Sequence, residues 1–128
     1  NLTYPHLLGS AWKYRNQIIA RKSVIAPYVR RALALSRKKR REATTEAIPP
    51  CFLGRWANCS LEHKLTINTV VYDTQVTHDF LQWRAQEGKM KGPLCHLCAY
   101  NDTCEGPWRE YPQLFGWEEF KPVKRKAP

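Results

Sequence analysis

The chain has 128 residues, enough for one small domain, and its 43% hydrophobic content with five Trp excludes a wholly disordered polypeptide. No apolar run approaches the roughly 18 residues of a membrane-spanning helix. The formal net charge of +10 asks for a polyanionic partner, whether nucleic acid, acidic protein or anionic lipid.

Residues 1–9 read as an extended lead-in containing Pro5. Ser10 suits a helix N-cap, and the pattern from there to about Ala26 predicts a helix whose apolar stripe, Trp12 and Ile19, is narrow and interrupted by charge. Pro27 ends or kinks that helix, or occupies the first turn of a second one running from about Tyr28 to about Glu46. Val29, Ala32 and Leu33 recur at helical spacing there, but Arg37 to Arg41 is charged all round. Such a helix is expected to be marginal without a partner.

Pro49-Pro50 closes this segment. Cys51 to Glu62 looks irregular, and Lys64 to Tyr72, rich in β-branched residues, is the best strand. Thr77 is the expected cap of a short helix from His78 to about Glu87, stopped by Gly88, with Phe80, Leu81, Trp83 and Ala85 partly facing the core. After Gly92-Pro93 comes a cysteine-rich loop. The tail carries Trp108, Tyr111, Phe115, Trp117 and Phe120, and Pro107 and Pro112 keep it from forming one regular helix. Five rings exceed what so thin a core accommodates, so at least two are expected to insert into neighbouring proteins. The fold class is mostly α with irregular segments: basic N-terminal helices, a small Cys-containing α+β body and an extended aromatic C-terminal tail. The corresponding divisions are a basic helical RNA-binding arm (1–48), the body (49–106) and a wrapping tail (107–128).

The charge is concentrated. Lys13, Arg15, Arg21, Lys22, Arg30, Arg31, Arg37, Lys38, Lys39, Arg40 and Arg41 all precede residue 42, with no Asp or Glu among them, whereas the remainder is nearly neutral. These eleven are the candidate RNA-binding residues, because neutralised phosphates release condensed counterions and reward such density. Trp12, Tyr14 and Tyr28 interleave them and suit stacking on exposed bases.

Cys95-His-Leu-Cys98 has the two-residue gap that lets two thiolates meet one tetrahedral ion. Cys104 follows, and Cys51 or Cys59 would supply a fourth ligand, with His96 a weaker substitute. Zinc is the first cofactor to consider. Disulfides, free thiols and an iron–sulfur cluster stay open beside it. Three sequons, at Asn1, Asn58 and Asn101, speak for secretion. Asn58 and Asn101 lie in the cysteine regions, where a glycan would crowd the chain. The first residue is Asn and the single Met is Met90; a removed import presequence, a removed signal peptide and an arbitrary cut all fit. The four His are scattered, and no phosphate loop, nucleophile elbow or HExxH motif occurs, so no catalysis and no small-molecule substrate are expected.

In composition and layout, though not in any motif, the chain resembles small accessory proteins of mitochondrial ribosomes: no initiator Met, a basic helical arm, a compact middle and an aromatic wrapping tail. That resemblance implies a ribonucleoprotein constituent in the mitochondrial matrix, with rRNA and neighbouring ribosomal proteins as partners. An accessory subunit of a mitochondrial respiratory complex and a secreted disulfide-linked glycoprotein are the alternatives.

Overall fold

The computed structural model describes residues 1–64, 69–72, 76–77 and 79–124. Among them no helix is long and apolar enough to cross a membrane. The chain is mostly helical with irregular segments, as its patterning predicts, and an aromatic cluster gathers near its C-terminus.

The lead-in is extended, as expected, and it is paired. Strand β1 (Leu2–Thr3) runs parallel to β2 (Thr45–Glu46), with Leu2 opposite Thr45 and Thr3 opposite Glu46. The expected first helix is instead two short ones, α1 (Gly9–Lys13) and α2 (Arg15–Ile18). Leu8, rather than Ser10, holds the N-cap position of α1. The long helix α3 (Lys22–Lys38) starts before Pro27 and passes through it. Lys22, Ala26 and Leu33 are its buried residues, and half-buried Val29 falls on the same stripe. This face packs on the chain's own core, so α3 is not the partnerless helix that its charge suggests.

Helix α3 also ends earlier than expected. Arg40 takes a left-handed conformation (φ 53°), Arg40 N–H donates to Arg37 O at 3.0 Å and Arg41 N–H to Ser36 O at 2.9 Å. These are the two bonds of a Schellman closure. Continuing the helix would have stacked Arg37 against Arg41 one turn apart, which like charges oppose. The closure returns the chain to β2.

Helix α4 (Pro50–Leu53) follows, with Pro49 as its cap and Pro50 at its start, then 3₁₀ turns over Gly54–Cys59 and Leu61–Lys64. The expected strand from Lys64 to Tyr72 is shorter than patterning predicts: Lys64 belongs to the preceding 3₁₀ turn, residues 69–70 are not in a strand, and 65–68 lie outside the described residues. Its end forms β3 (Val71–Tyr72), antiparallel to β4 (Val76–Thr77). Asp79, not Thr77, caps α5 (Phe80–Trp83), its carboxylate accepting from Gln82 N–H at 3.2 Å. His78 is outside the described residues. Helix α5 widens into a π turn over Arg84–Gly88, where Lys89 N–H reaches Arg84 O at 2.7 Å, and Gly88 ends it. After a 3₁₀ turn at Cys95–Leu97 the last helix is α6 (Glu110–Phe115).

One core draws on all three segments distinguished by composition: Tyr4, Leu7, Ala26 and Leu33; Ile48, Phe52 and Leu53; Trp108, Tyr111 and Phe120. The tail rings therefore do not wait for neighbours. Tyr111 meets Tyr4 edge-on at 5.5 Å, Phe120 meets Phe52 at 5.2 Å, and the half-buried Phe115 and Trp117 pack on Tyr111 and Phe120 at 4.9 and 5.1 Å. The arm supplies the surface that the body alone lacks, which is why the core is thicker than a division into separate segments allows.

A buried ion network sits beside this core. Arg84 is fully enclosed and its guanidinium reaches Glu62 at 3.1 Å, Glu105 at 2.7 Å and Glu46 at 3.5 Å. Lys89 Nζ, also enclosed, lies 2.7 Å from Glu62 and 4.0 Å from the Trp108 ring. Desolvation is tolerable here because the charges answer one another.

Candidate functional site

Two regions bring chemistry-bearing residues together: the outer side of α3 and the loop between Lys91 and Gly106.

On α3 the inward stripe leaves the opposite side to the solvent. Lys13, Arg21, Arg31, Arg37, Lys38, Lys39, Arg40 and Arg41 are exposed. Pro27, Arg30, Arg31 and Ala34 form one wall of an open groove whose other wall is Arg55 and Trp56. Trp56 lies under two guanidinium groups, Arg55 at 5.0 Å and Arg37 at 5.9 Å from its ring centre. Arg30 is half-buried and spends one N–H on Phe52 O at 2.9 Å, which holds the groove wall to α4. A guanidinium has five N–H donors, so Arg30 keeps others for a ligand. The groove offers three cations and an aromatic face within one concavity, a combination that suits phosphates flanked by an unpaired base.

The eleven basic residues are thus not equivalent. Arg15 lies over Trp12 and donates to Trp12 O at 2.9 Å, and Arg21 donates to Phe115 O at 3.2 Å, so both help bind α1, α2 and the tail together. Lys22 is the clear exception. It is fully buried, its amine 3.1 Å from the centre of the Tyr4 ring and 4.3 Å from that of Tyr111. Burial holds its pKa well below the ordinary lysine value, and the nearby Lys89 lowers it further. An amine enclosed in this way has no route to a phosphate, so Lys22 leaves the RNA-facing set. Of the expected stacking aromatics, Tyr14 and Tyr28 are exposed, whereas Trp12 packs against the core. Arg55 and Trp56 escape a reading of the sequence because they lie beyond the acid-free stretch. Their adjacency is the only signal there.

The loop is organised around sulfur. Cys51 from α4 and Cys95, Cys98 and Cys104 from the loop all line one cavity of about 300 Å³, together with Pro49, Pro50, Pro93, Pro107, Trp117 and Phe120. Cys59 does not line it and packs against the hydrophobic core instead. Of the two cysteines that spacing left open, Cys51 is the one that shares the cavity with the other three. His96 is exposed, its ring Nδ1 2.8 Å from Pro93 O, and it is not among the cavity residues. All five cysteines are free thiols. Among the described residues no three His, Cys, Asp or Glu side chains stand close enough together to hold one metal ion. The four sulfurs surround a space rather than meet at a point.

Backbone N–H groups from three places reach three of these sulfurs: Gly92 to Cys95 at 3.2 Å, Gly106 to Cys104 at 3.3 Å and Val123 to Cys98 at 3.4 Å. Both glycines are sterically required. A Cβ on Gly92 would overlap the Trp117 ring, and one on Gly106 (φ 86°) would overlap Met90 O. Burial pushes the Cys51 and Cys104 thiols up to about 12, and at Cys51 the other three sulfurs add to the effect. As free thiols these two are neutral and poorly nucleophilic.

Asn1 and Asn58 are exposed, whereas Asn101 is half-buried at the cavity wall, with its carbonyl accepting from Lys91 Nζ. No family model, curated protein or solved structure matches the chain.

Proposed function

We propose that the chain is a structural constituent of a large ribonucleoprotein, a mitochondrial ribosome protein of the matrix that binds rRNA through the outer side of α3 and packs against neighbouring proteins. The observation that carries this reading is the groove in which Arg30, Arg31 and Arg55 converge beside Trp56. It is continuous along α3 with the exposed Arg37 to Arg41 turn. The mitochondrial assignment rests on the resemblance in layout. Protein contacts fall to the exposed apolar residues of the arm, Ile18, Val24, Tyr28 and Leu35, since the tail rings are already used internally.

Affinity for a structured RNA with single-stranded loops, measured from about 50 to 200 mM salt, tests the proposal. The logarithm of the binding constant should fall steeply with log salt. The triple change Arg31→Gln, Arg37→Gln, Arg55→Gln should flatten the slope by roughly 0.7–0.9 for each phosphate no longer neutralised. A slope unchanged by all three would overturn the assignment, and N-linked glycan on the native chain would favour the secreted alternative.

A further inference from the structure

We propose that Cys51, Cys95, Cys98 and Cys104 are the four thiolate ligands of an iron–sulfur cluster seated in the cavity they line. This stands apart from the RNA reading and shares no residue with it.

Three features support a metal centre here, and the first of them selects a polynuclear cluster over a single ion. The first is size. Zn–S bonds of about 2.3 Å place the sulfurs of a zinc tetrathiolate only about 3.8 Å apart. Here no three potential ligands among the described residues are close enough to share one ion, yet all four cysteines face the same space. That space, about 300 Å³, is roughly ten times the ~30 Å³ share of one water molecule, far more than a single ion fills. A cluster whose irons and sulfides occupy the middle, each thiolate binding a different corner or pair, fits sulfurs arranged in this way.

The second feature is the hydrogen bonding. Amide N–H groups directed at cysteine sulfur stabilise the charged thiolate ligands of iron–sulfur centres and help set their potentials. Three of the four sulfurs receive one, each from a different stretch of chain. Two donors are glycines that no other residue can replace without a clash. A buried cysteine that merely fills space needs no such donor.

The third feature is what the loop lacks. No residue from 84 to 107 belongs to the apolar core or packs as a hydrophobic residue against it; Leu94, at the cavity wall, is 52% exposed and Leu97 60% exposed. From Met90 to Gly106 no apolar side chain is fully buried, yet the stretch holds a definite course. A cluster tied to α4 through Cys51 supplies the missing interior. Pro49, Pro50 and Pro107 make a buried apolar wall, and Lys91 and Lys121 against the single carboxylate of Glu118 leave the lining net positive, as an anionic cluster–thiolate assembly needs. The step is transfer of a preformed cluster from a low-molecular-weight thiolate complex: four Cys S–Fe bonds replace the four donor S–Fe bonds, the four thiol protons pass to the released donor thiolates, and iron keeps its oxidation state.

The full chain, expressed and purified without oxygen or reconstituted anaerobically by transfer from a preformed, thiolate-ligated iron–sulfur cluster, provides the test. Iron and acid-labile sulfide should appear in equal amounts, with charge-transfer absorption in the near-ultraviolet and visible. Cys51→Ser, Cys95→Ser, Cys98→Ser and Cys104→Ser should each reduce the signal severalfold or abolish it, while Cys59→Ser keeps it in full. Zinc bound without sulfide, a chain that takes up neither metal after reconstitution, or a Cys59→Ser variant as depleted as the other four would each overturn the proposal. The wild-type metal and sulfide content decides the matter even if a ligand variant fails to fold.

Discussion

Helix α3 and the loop from 92 to 105 are both poor in conventional core residues, yet they hold their shapes by opposite means. Helix α3 compresses its few apolar side chains into one stripe, Ala26, Val29 and Leu33, and lays it on rings contributed by the N-terminal lead-in and the tail. Its charges then face outward, where solvent or a polyanion answers them. The loop has no such stripe. It turns its sulfurs inward, exposes Leu94 and Leu97, and is fastened by polar contacts, in its middle through Ala99 N–H to Val123 O at 2.8 Å and at its ends through ion pairs. At one end Glu62 holds Lys89, and at the other Glu105 holds Arg84. Hydrophobic burial can be recruited from anywhere in the chain, but a turn-rich segment with few apolar side chains has to be pinned by polar or covalent bonds.

The comparison can be broken most severely at the fastening. Glu62→Gln leaves Lys89 enclosed without its carboxylate partner, so unfolding by denaturant should show a loss of about 3–5 kcal/mol. A loss below about 1 kcal/mol would mean that the network does not hold the loop. A sharper contrast comes from one leucine in each region. Leu33→Ala, at a site 2% exposed, should cost about 2–5 kcal/mol, whereas Leu97→Ala, 60% exposed, should change stability by no more than about 0.5 kcal/mol. Similar costs at the two positions would remove the distinction drawn between the regions.

The smallest effect concerns Lys22. Burial lowers its folded-state pKa below the roughly 10.4 of an unfolded lysine, so between the two values the unfolded chain carries the extra proton. Stability owed to this residue therefore rises with pH across that window and is flat below it. Relative to Lys22→Met, the wild type should gain up to about 1.4 kcal/mol per pH unit as pH climbs within the window towards 10.4. A difference between the two proteins that stays constant with pH would show that the amine keeps its proton inside the fold.

Much of the local character was legible in the residues themselves. The acid-free run up to Arg41 announced a cationic surface, Gly88 a stop, and Cys95 with Cys98 a turn bearing two thiols. These are properties of neighbours in sequence, governed by charge and by the backbone range of glycine, and so they survive without knowledge of the rest of the chain. Which partners meet across the chain was not legible in this way. Lys22 looks like every other lysine of the arm until Tyr4 and Tyr111 close over it from 18 and 89 residues away. Arg55 and Trp56 join the basic face only because α4 turns back along α3. Cys51 rather than Cys59 joins the other three cysteines because α4 carries it to the cavity they line. Burial and the sharing of a cavity depend on long-range packing, and packing is decided by the sum of many weak contacts whose participants no single stretch of sequence contains.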